Sequence, residues 1–518
     1  MLSPLKKWAI GSLLFLTLLT VAVYLFFVNE IDQMLGGNTE VVNVTQFKSL
    51  SGQIAIHNVH VLSTDSSEMR DNHSILINGN QIEYVGSQET IPNKDLVLKN
   101  YYQVDGAGRF VIPGLIDSHV HVKQSKNDLL LYLANGVTQI GEMTGMSQHF
   151  NYLEEINRHG VGPQMFIASP KINSRTDIGA MFRSQFEKRH KSFETVEQAK
   201  QAVVQFKALG YQAIKLSSDI NRDVYYAINS EAKRQGIPAI GHLPVGLQLK
   251  DLYQSGQSQL AHIDSITHNL MNEFGGLSST NSEAFLSHIG ESADSIALNL
   301  KKNNIALAST IWLHQTRSQQ DFDLTSFLKS IPLAYQNPGW LEGSVVSRGC
   351  LPGGNSYENP HNTDKQSIKA WDVYYRAYNQ AIKLVTQALL RHKVTITAGT
   401  DALGACGMIA GFSLHKELQA LNEMGLTPSQ VLQTATLSAA DWMKLHTGKI
   451  AASYRADLVF LEANPLNDIG NTQKINAVMA NGNYWSRGEL DAMLEAVKKA
   501  NNNSRKINIK EYLSESQR

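Results

Sequence analysis

The feature that most constrains the fold is a regular alternation of strand-like and helical segments through the middle of the chain. The strand-like runs are residues 111–116, 137–140, 165–168, 213–216, 239–241, 259–263, 305–309 and 394–398. Helical patterns separate most of them, for example residues 195–209 and 222–235. Alternating strands and helices favour parallel βα units, and eight such units fit a (β/α)8 barrel of the TIM type. The predicted fold class is therefore α/β, with a barrel over residues 110–446.

Both flanks of this region carry β patterning. The segments are residues 54–62, 74–77, 81–85, 457–461, 477–480 and 484–485. Asn78-Gly79-Asn80 and Asn481-Gly482-Asn483 stand between neighbouring segments and are typical hairpin turns. We therefore predict one small β-sandwich, assembled from residues 52–109 and 447–487. Residues 488–518 are predicted to form a C-terminal helix and a polar tail, loosely ordered beyond about residue 500.

The N-terminal region contains 21 consecutive uncharged residues, 8–28. A helix of that length spans about 30 Å, enough to cross a bilayer core. Lys6 and Lys7 precede the run, and Glu30 and Asp32 follow it, so the positive-inside rule places the N-terminus in the cytoplasm. The prediction is a signal-anchor over residues 1–30, a linker over 31–51 and a periplasmic or extracellular catalytic domain. A cleaved signal peptide is the alternative, although its apolar region is usually only about 7–15 residues.

Composition narrows the classes of partner and ligand. Lys plus Arg equals Asp plus Glu, 46 against 46, and no basic run is present, which argues against nucleic-acid binding. The two cysteines, Cys350 and Cys406, cannot form a thiolate zinc site or a disulfide framework. The 17 histidines are therefore the candidate metal ligands.

Six residues of metal-ligating type follow predicted barrel strands. His119 and His121 lie two residues apart at the end of the first strand, so both side chains point to one face. An H-x-H pair alone is weak evidence. The other four candidates are Lys215 after the fourth strand, His242 after the fifth, His262 on the sixth and Asp401 after the eighth. The carboxyl ends of the strands form the catalytic face of such a barrel, so the set predicts a binuclear hydrolytic metal centre.

These motifs resemble those of the metal-dependent amidohydrolase superfamily, in the imidazolonepropionase- and prolidase-like branch. Residues 106–121 are similar to the family's first-strand signature, and Thr397-Ala398-Gly399-Thr400-Asp401 to its eighth-strand signature. Residues 415–418, 426–428, 448–450 and 456–459 match the usual C-terminal run. The resemblance covers roughly residues 52–487.

The resemblance implies a role for each ligand. His119 and His121 would bind the more buried of two divalent ions, and His242 and His262 would bind the more exposed one. Zinc is the first candidate for these ions, with manganese and cobalt as alternatives. Lys215 would be an N6-carboxylysine that bridges both ions, since an unmodified ammonium has no lone pair to donate. Asp401 would be a ligand and the catalytic acid–base. Lowering the pKa of a bridging water toward about 7 supplies hydroxide at neutral pH.

The implied activity is hydrolysis of amide bonds, peptide-like or N-acyl amino acid, in small substrates. A lactone, cyclic amide or ester hydrolase with the same centre is the enzymatic alternative. A non-catalytic amidohydrolase-like scaffold is disfavoured because all six ligand positions are filled. A deaminase is disfavoured because those relatives typically use one metal and no ligating lysine. Assembly into a homo-oligomer is left open.

Further residues carry two interpretations each. Glu142 reaches the pocket or caps a helix, and Arg175 and Arg183 bind a substrate carboxylate or form a solvated charge pair. His415 is assigned no ligand role.

Two connections are long, residues 170–194 and 314–366, and the second is rich in Gly, Pro, Asn and Ser, which suits a lid. Cys350 and Cys406 lie on loops that leave adjacent strands on the catalytic face, so we predict a disulfide between them, two unpaired cysteines being the alternative.

Overall fold

The fold is known from a computed structural model, which describes residues 3–182, 184, 189–359 and 364–517. The strands are β1 (Gln53–Leu62), β2 (Met69–Asn78), β3 (Gln81–Ser87), β4 (Tyr102–Pro113), β5 (Leu115–Val120), β6 (Val137–Glu142), β7 (Gln164–Ile167), β8 (Lys171–Asn173), β9 (His190–Ser192), β10 (Ile214–Leu216), β11 (Ala239–Gly241), β12 (Gln259–Ala261), β13 (Ala306–Ala308), β14 (Ile396–Thr397), β15 (Leu458–Leu461), β16 (Ile475–Ala480) and β17 (Asn483–Ser486). The helices are α1 (Pro4–Leu35), α2 (Lys94–Asn100), α3 (Asp128–Ala134), α4 (Ser147–His159), α5 (Ile178–Phe182), α6 (Val196–Ala208), α7 (Arg222–Gln235), α8 (Leu249–Ser255), α9 (Asp264–Phe274), α10 (Ser282–Lys302), α11 (Ile311–Gln315), α12 (Arg317–Phe322), α13 (Leu324–Ser330), α14 (Pro338–Glu342), α15 (Lys365–Arg391), α16 (Phe412–Glu423), α17 (Pro428–Thr434), α18 (Leu437–Met443) and α19 (Arg487–Ser504).

The central strands form a closed parallel barrel of the TIM type, as the alternation predicts. Strands β5, β6 and β7 pair in that order, and β8, β10, β11, β12, β13 and β14 continue the series. A parallel bridge between Ala168 and Ala213 joins the two series. The barrel closes where Ser118 N donates to Ala398 O at 2.8 Å and Val120 bridges Ala402. Most apolar side chains of the strands and surrounding helices form one large core, and a smaller cluster that includes Ile116, Phe166 and Ile240 lies apart from it.

The flanking strands pair in one seven-stranded sheet, in the order β17-β16-β15-β4-β1-β2-β3. Strands from both sides of the barrel are neighbours in it, since β15 pairs antiparallel with β4. The expected sandwich thus takes the form of a single hydrogen-bonded sheet rather than two. The predicted first barrel strand, residues 111–116, is divided between two elements. Strand β4, which belongs to this sheet, ends at Pro113, and β5, the first strand of the barrel, begins at Leu115. Gly114 lies at the break, where a Cβ would stand 2.1 Å from Thr138 Oγ1.

The apolar N-terminal run lies on α1, which continues to Leu35. This helix is long and apolar enough to cross a membrane, with a mean hydropathy of 2.3 in its most apolar window and none of that window buried. Its last turn, however, packs on the barrel. Ile31, Met34 and Leu35 are buried, and Gln124 N donates to Leu35 O at 3.1 Å. The expected linker is therefore in part a packed segment.

The C-terminal region and the long insertion are also better ordered than the composition suggests. Helix α19 runs to Ser504, and Ile509 and Leu513 beyond it are buried, so the expected loose tail is wrong over these residues. The predicted disulfide is confirmed, since Cys350 and Cys406 are bonded with a Cα–Cα distance of 5.4 Å. It fastens the insertion after β13 to the loop after β14.

Candidate metal centre

All six predicted ligand residues lie at the carboxyl end of the barrel. His119 is on β5 and His121 directly follows that strand. Lys215 is on β10, whereas the remaining three residues follow strands. Those residues are His242 after β11, His262 after β12 and Asp401 after β14. Convergence of side chains from five strands on one face is the arrangement that catalysis in such barrels uses.

Three of these side chains make a tight buried group. His121 Nε2 lies 2.9 Å from Asp401 Oδ1, and His119 Nε2 lies 3.6 Å from the same oxygen. One ligand atom from each of the three residues falls within 4.8 Å of the others, a spacing that one metal ion can occupy. Lys215 Nζ is 3.2 Å from His119 Nε2, so the lysine belongs to the same group.

The other two histidines extend this group. The rings of His119 and His262 have centroids 4.7 Å apart, and those of His242 and His262 are 5.1 Å apart. His262 is nine-tenths buried, whereas His242 is half-buried. His262 and His242 therefore continue the group that begins with His119, His121 and Asp401.

The outer nitrogens of three imidazoles are held by partners outside the group. His121 Nδ1 is hydrogen-bonded to Thr144 Oγ1, His262 Nδ1 to Thr310 Oγ1 at 3.0 Å, and His242 Nδ1 to Leu216 O at 3.3 Å. Such bonds fix the ring orientation and leave Nε2 for a metal. His119 Nδ1 is buried and has no hydrogen-bond partner among the residues that the structure describes. A donor set of imidazole nitrogens and a carboxylate fits divalent metal ions.

Backbone geometry places the last ligands. Asp401 and His262 have φ values of 57° and 66°, a left-handed conformation that costs free energy in a non-glycine residue and is common at functional sites. The buried carboxylate of Asp117 accepts hydrogen bonds from Thr400 N at 3.1 Å and Thr400 Oγ1 at 2.7 Å. Because Thr400 precedes Asp401, this contact joins the turn after β14 to β5.

A glycine permits a close approach between strands β10 and β11. A Cβ on Gly241, whose φ is +122°, would lie 2.4 Å from Leu216 O. Gly241 stands immediately before His242, and Leu216 immediately after Lys215. Any larger residue would push the strand that carries His242 away from the strand that carries Lys215.

Burial controls the charges in the centre. It lowers the pKa of the Lys215 amine to about 7, with a further contribution from the positive charge of Lys171. Burial also opposes ionisation of Asp401, but the hydrogen bond from His121 and the nearby positive charges outweigh it, so the pKa of Asp401 lies below the usual range. Asp401 is therefore an anion in this environment.

Lys171 is a site residue that the sequence did not single out. Ile172 of β8 pairs in register with Leu216 of β10, so Lys171 and Lys215 are neighbours on adjacent parallel strands and share a face. The half-buried Lys171 ammonium has no ion-pair partner within the described part of the chain. Burial lowers the pKa of Lys171, and the charge of Asp401 partly opposes that shift. The only signal in the sequence was a lysine three residues beyond a predicted strand.

The secondary candidates take different places. Glu142 accepts hydrogen bonds from Val122 N at 2.6 Å and Thr144 N at 2.8 Å, and its Oε1 lies 4.0 Å from His121 Nδ1, so it supports the pocket rather than capping a helix. Arg175 forms an exposed ion pair with Asp177 at 2.6 Å. Arg183 lies outside the described residues. His415 is buried between Thr472 and Asn135, away from the centre.

An aromatic wall from the insertion after β13 flanks the centre. The Arg317 guanidinium stacks over the Tyr357 ring at 3.8 Å, and His314 Nε2 lies 3.3 Å from Asp264 Oδ1. Burial raises the pKa of Tyr357, and the charges of Arg317 and Asp401 act on it in opposite directions. The rest of the wall projects from α15: Trp371, Tyr374, Tyr375 and Tyr378.

Comparison with known proteins identifies the family. The Amidohydrolase family model matches residues 110–484. Among solved structures, bottromycin amidohydrolase is similar with a TM-score of 0.63 and 19% identity, covering 87% of this chain and 90% of that one. Ochratoxinase of Aspergillus niger has a TM-score of 0.58 and 18% identity, covering 84% and 96%. A prolidase in complex with N-methylphosphonate-L-proline has a TM-score of 0.58 and 17% identity, covering 84% and 100%.

Sequence similarity to curated proteins is more local. Ochratoxinase of Aspergillus niger is 35% identical over 124 residues, 23% of this chain and 22% of that protein. Adenine deaminase of Staphylothermus marinus is 35% identical over 72 residues, 14% of this chain and 12% of that protein. The matched segments thus span about a fifth or less of these relatives. The barrel, its ligand-type cluster and the family match agree, and the chain belongs to the metal-dependent amidohydrolase superfamily.

Proposed function

We propose that this protein is a membrane-anchored, metal-dependent hydrolase that cleaves amide bonds in small substrates bearing a carboxylate. The observation that carries the proposal is the convergence of four imidazoles, Asp401 and Lys215 at the carboxyl end of one barrel. Amide hydrolysis is consistent with the family and with the names of the similar proteins, prolidase, ochratoxinase and bottromycin amidohydrolase.

Two divalent ions, with zinc as the first candidate, would be held by the six residues. His119, His121 and Asp401 form one part of the ligand set, and His242 and His262 the other. Lys215 lies against His119, and its carbamate would supply an anionic oxygen to both parts. When bound, the metal ions supply Lewis acidity and lower the pKa of a coordinated water.

Asp401 is the residue that would move the proton. Its carboxylate accepts a proton from the attacking water and then donates that proton to the departing amine nitrogen. The hydrogen bond with His121 keeps the carboxylate ionised at the start of the cycle and orients Oδ1. The Thr400–Asp117 contact limits movement of the turn that carries it.

Lys171 and the aromatic wall would bind the substrate. The Lys171 ammonium lies beside Lys215 without an ion-pair partner within the described residues, a setting that favours an incoming carboxylate. Tyr357 and the tyrosines of α15 offer apolar ring surface beside the centre. A substrate with a carboxylate at one end and an apolar group at the other, such as an N-acyl amino acid or a dipeptide, matches both features.

The test is metal analysis of the purified full-length protein combined with activity on matched substrates. We expect about two ions per chain and hydrolysis of N-acyl amino acids or dipeptides, with weaker hydrolysis of their carboxamide analogues. Preference for lactones or esters would support the alternative reaction at the same centre. Metal-loaded protein that cleaves none of these compounds would favour a scaffold role and contradict the proposal.

The anchor is a separate part of the proposal. Helix α1 has the length and apolarity for one membrane crossing, and the charges around it favour a cytoplasmic N-terminus. The catalytic domain would then lie in the periplasm or outside the cell. Mass determination of the mature chain distinguishes an anchor from a cleaved signal, because cleavage would remove residues 8–28. Protease protection in intact cells tests the orientation.

A further inference from the structure

The end of the apolar helix is joined directly to the catalytic face of the barrel. Gln124, three residues after His121, donates through Nε2 to Asp32 Oδ1 at 3.0 Å and through its backbone to Leu35 O. Asn337, from the insertion after β13, donates to Gly36 O at 3.4 Å. The first-strand loop and the insertion therefore both contact the last turn of α1.

This attachment sets how far the site is from the apolar run. The run ends at Val28, and the contacts with the loop begin at Asp32 and end at Leu35. Four to seven residues of helix correspond to about 6–10 Å along the axis at about 1.5 Å per residue. Because α1 is continuous from Pro4 to Leu35, no flexible linker separates the span from the catalytic face.

The loops of the same face expose large apolar side chains. Val345 is 77% exposed, and its N–H donates to Glu30 Oε2 at 2.9 Å, two residues beyond the apolar run. Val245, three residues after His242, is 82% exposed, and Ile178, the first residue of α5 after β8, is 86% exposed. Trp371 is partly exposed on the aromatic wall. Exposed apolar side chains on loops beside a membrane-spanning helix are in a position to contact the lipid surface.

We propose that the catalytic face rests on the surface of the membrane that α1 spans, with Ile178, Val245 and Val345 as an apolar rim in contact with lipid. The mouth of the metal centre then opens toward the bilayer interface and admits amphiphilic substrates from it. The orientation follows from the rigid attachment of α1 and from the position of the rim. The substrate route rests on the proposed hydrolase activity, whereas the orientation rests only on the proposed membrane anchor.

The orientation is tested in full-length protein reconstituted into phosphatidylcholine–phosphatidylglycerol vesicles. Single cysteines at positions 178, 245 and 345 are labelled with an environment-sensitive fluorophore, the native cysteines being paired in the disulfide. Phe15 in the apolar run and Leu209, which is 65% exposed and precedes β10 at the opposite end of the barrel, are the controls. We expect headgroup-proximal nitroxide lipids to quench the three rim labels several-fold more strongly than the Leu209 label, and lipids with a nitroxide deep in the acyl chain to quench the Phe15 label.

Two outcomes overturn the orientation. The first is quenching of the Phe15 label together with rim labels that are quenched no more than the Leu209 label. The second is the absence of quenching of the Phe15 label, which would show that α1 does not insert. Hydrolysis by the labelled proteins is a separate readout. Strong rim quenching without any amide hydrolysis would leave the orientation standing and contradict the proposed function.

The substrate route is tested with rim variants that do not touch the centre. In vesicles, the double variant Val245→Asn/Val345→Asn should raise KM for a long-chain N-acyl amino acid several-fold and leave KM for a short-chain, water-soluble analogue unchanged. Leu209→Asn is the matched control and should change neither value. An equal change for both chain lengths, or none for the long chain, would overturn the route from the interface.

Discussion

The two ends of the barrel differ in what they offer to a ligand. At the amino end, a cavity of about 950 Å³ is lined by residues such as Lys207, Lys233, Thr395 and Asp441, which stand on helix ends and connecting loops. At the carboxyl end, histidine rings, a buried lysine and a carboxylate converge instead. The candidate site is therefore marked by inward-facing lone pairs whose outer nitrogens are hydrogen-bonded, and not by cavity volume.

The largest expected effect is at Asp401. Asp401→Asn should keep most of the bound metal, because an amide oxygen can still ligate, but lower kcat by about 10²–10⁴-fold through loss of proton transfer. The measurement is kcat together with metal content. Asp441→Asn at the amino end is the matched control and should behave as wild type. Near-normal turnover of metal-replete Asp401→Asn would show that another residue is the base.

Lys215 comes next. Lys215→Ala should lose much of the metal and lower activity on the order of 10²-fold, because the buried amine beside His119 is replaced by a methyl group without a ligand atom. Added short carboxylic acids should restore part of the activity. Metal content, and ¹³C NMR after exposure to labelled carbon dioxide, check this result, with Lys233→Ala as the control. One tightly held ion beside an unmodified Lys215 would contradict the bridged centre.

A smaller effect is expected from Thr144, which orients His121 from outside the ligand group. Thr144→Val preserves the shape of the side chain and removes the oxygen that bonds Nδ1. The expected result is a loss of about 10–100-fold in metal affinity, measured by competition with a chelator. Thr395→Val at the amino end should leave affinity unchanged. If both variants bind metal equally well, the outer bond to His121 does not contribute.

The smallest effect concerns substrate selection by Lys171. Lys171→Met should raise KM for a carboxylate-bearing substrate by about 10-fold, the size of one charge-assisted hydrogen bond. The KM for the carboxamide analogue should not change, since it has no charge to pair. Lys207→Met is the control at the amino end. A similar rise in KM for both substrates would mean that Lys171 supports the fold of the pocket rather than the carboxylate.

The sequence was sufficient for what depends on local periodicity. The alternation of segments indicated a barrel, and the two-residue spacing of His119 and His121 placed both on one strand face. The positions of Lys215, His242, His262 and Asp401 at the ends of predicted strands then placed them at the same end of the barrel, because the carboxyl ends of parallel strands lie together. Their roles as ligands stay a prediction, which the metal measurements above test.

Other features depended on register and packing. Lys171 was overlooked because the third strand is interrupted at Pro170 and resumes as β8, and only the pairing of Ile172 with Leu216 brings this lysine beside Lys215. The break at Gly114 is similar, since residues 111–113 have strand character wherever they pair. Which sheet they join depends on hydrogen bonding with β1 and β15.

By itself, the sequence determined the barrel, the apolar helix and which side chains stand at the ends of strands, because these follow from periodicity over short stretches of chain. Only the tertiary structure decided that α1 ends against the catalytic face, that the insertion supplies the aromatic wall and that the tail packs on the barrel. Those contacts join residues dozens to hundreds of positions apart, and their stability comes from burial and hydrogen bonding between surfaces that no local pattern records.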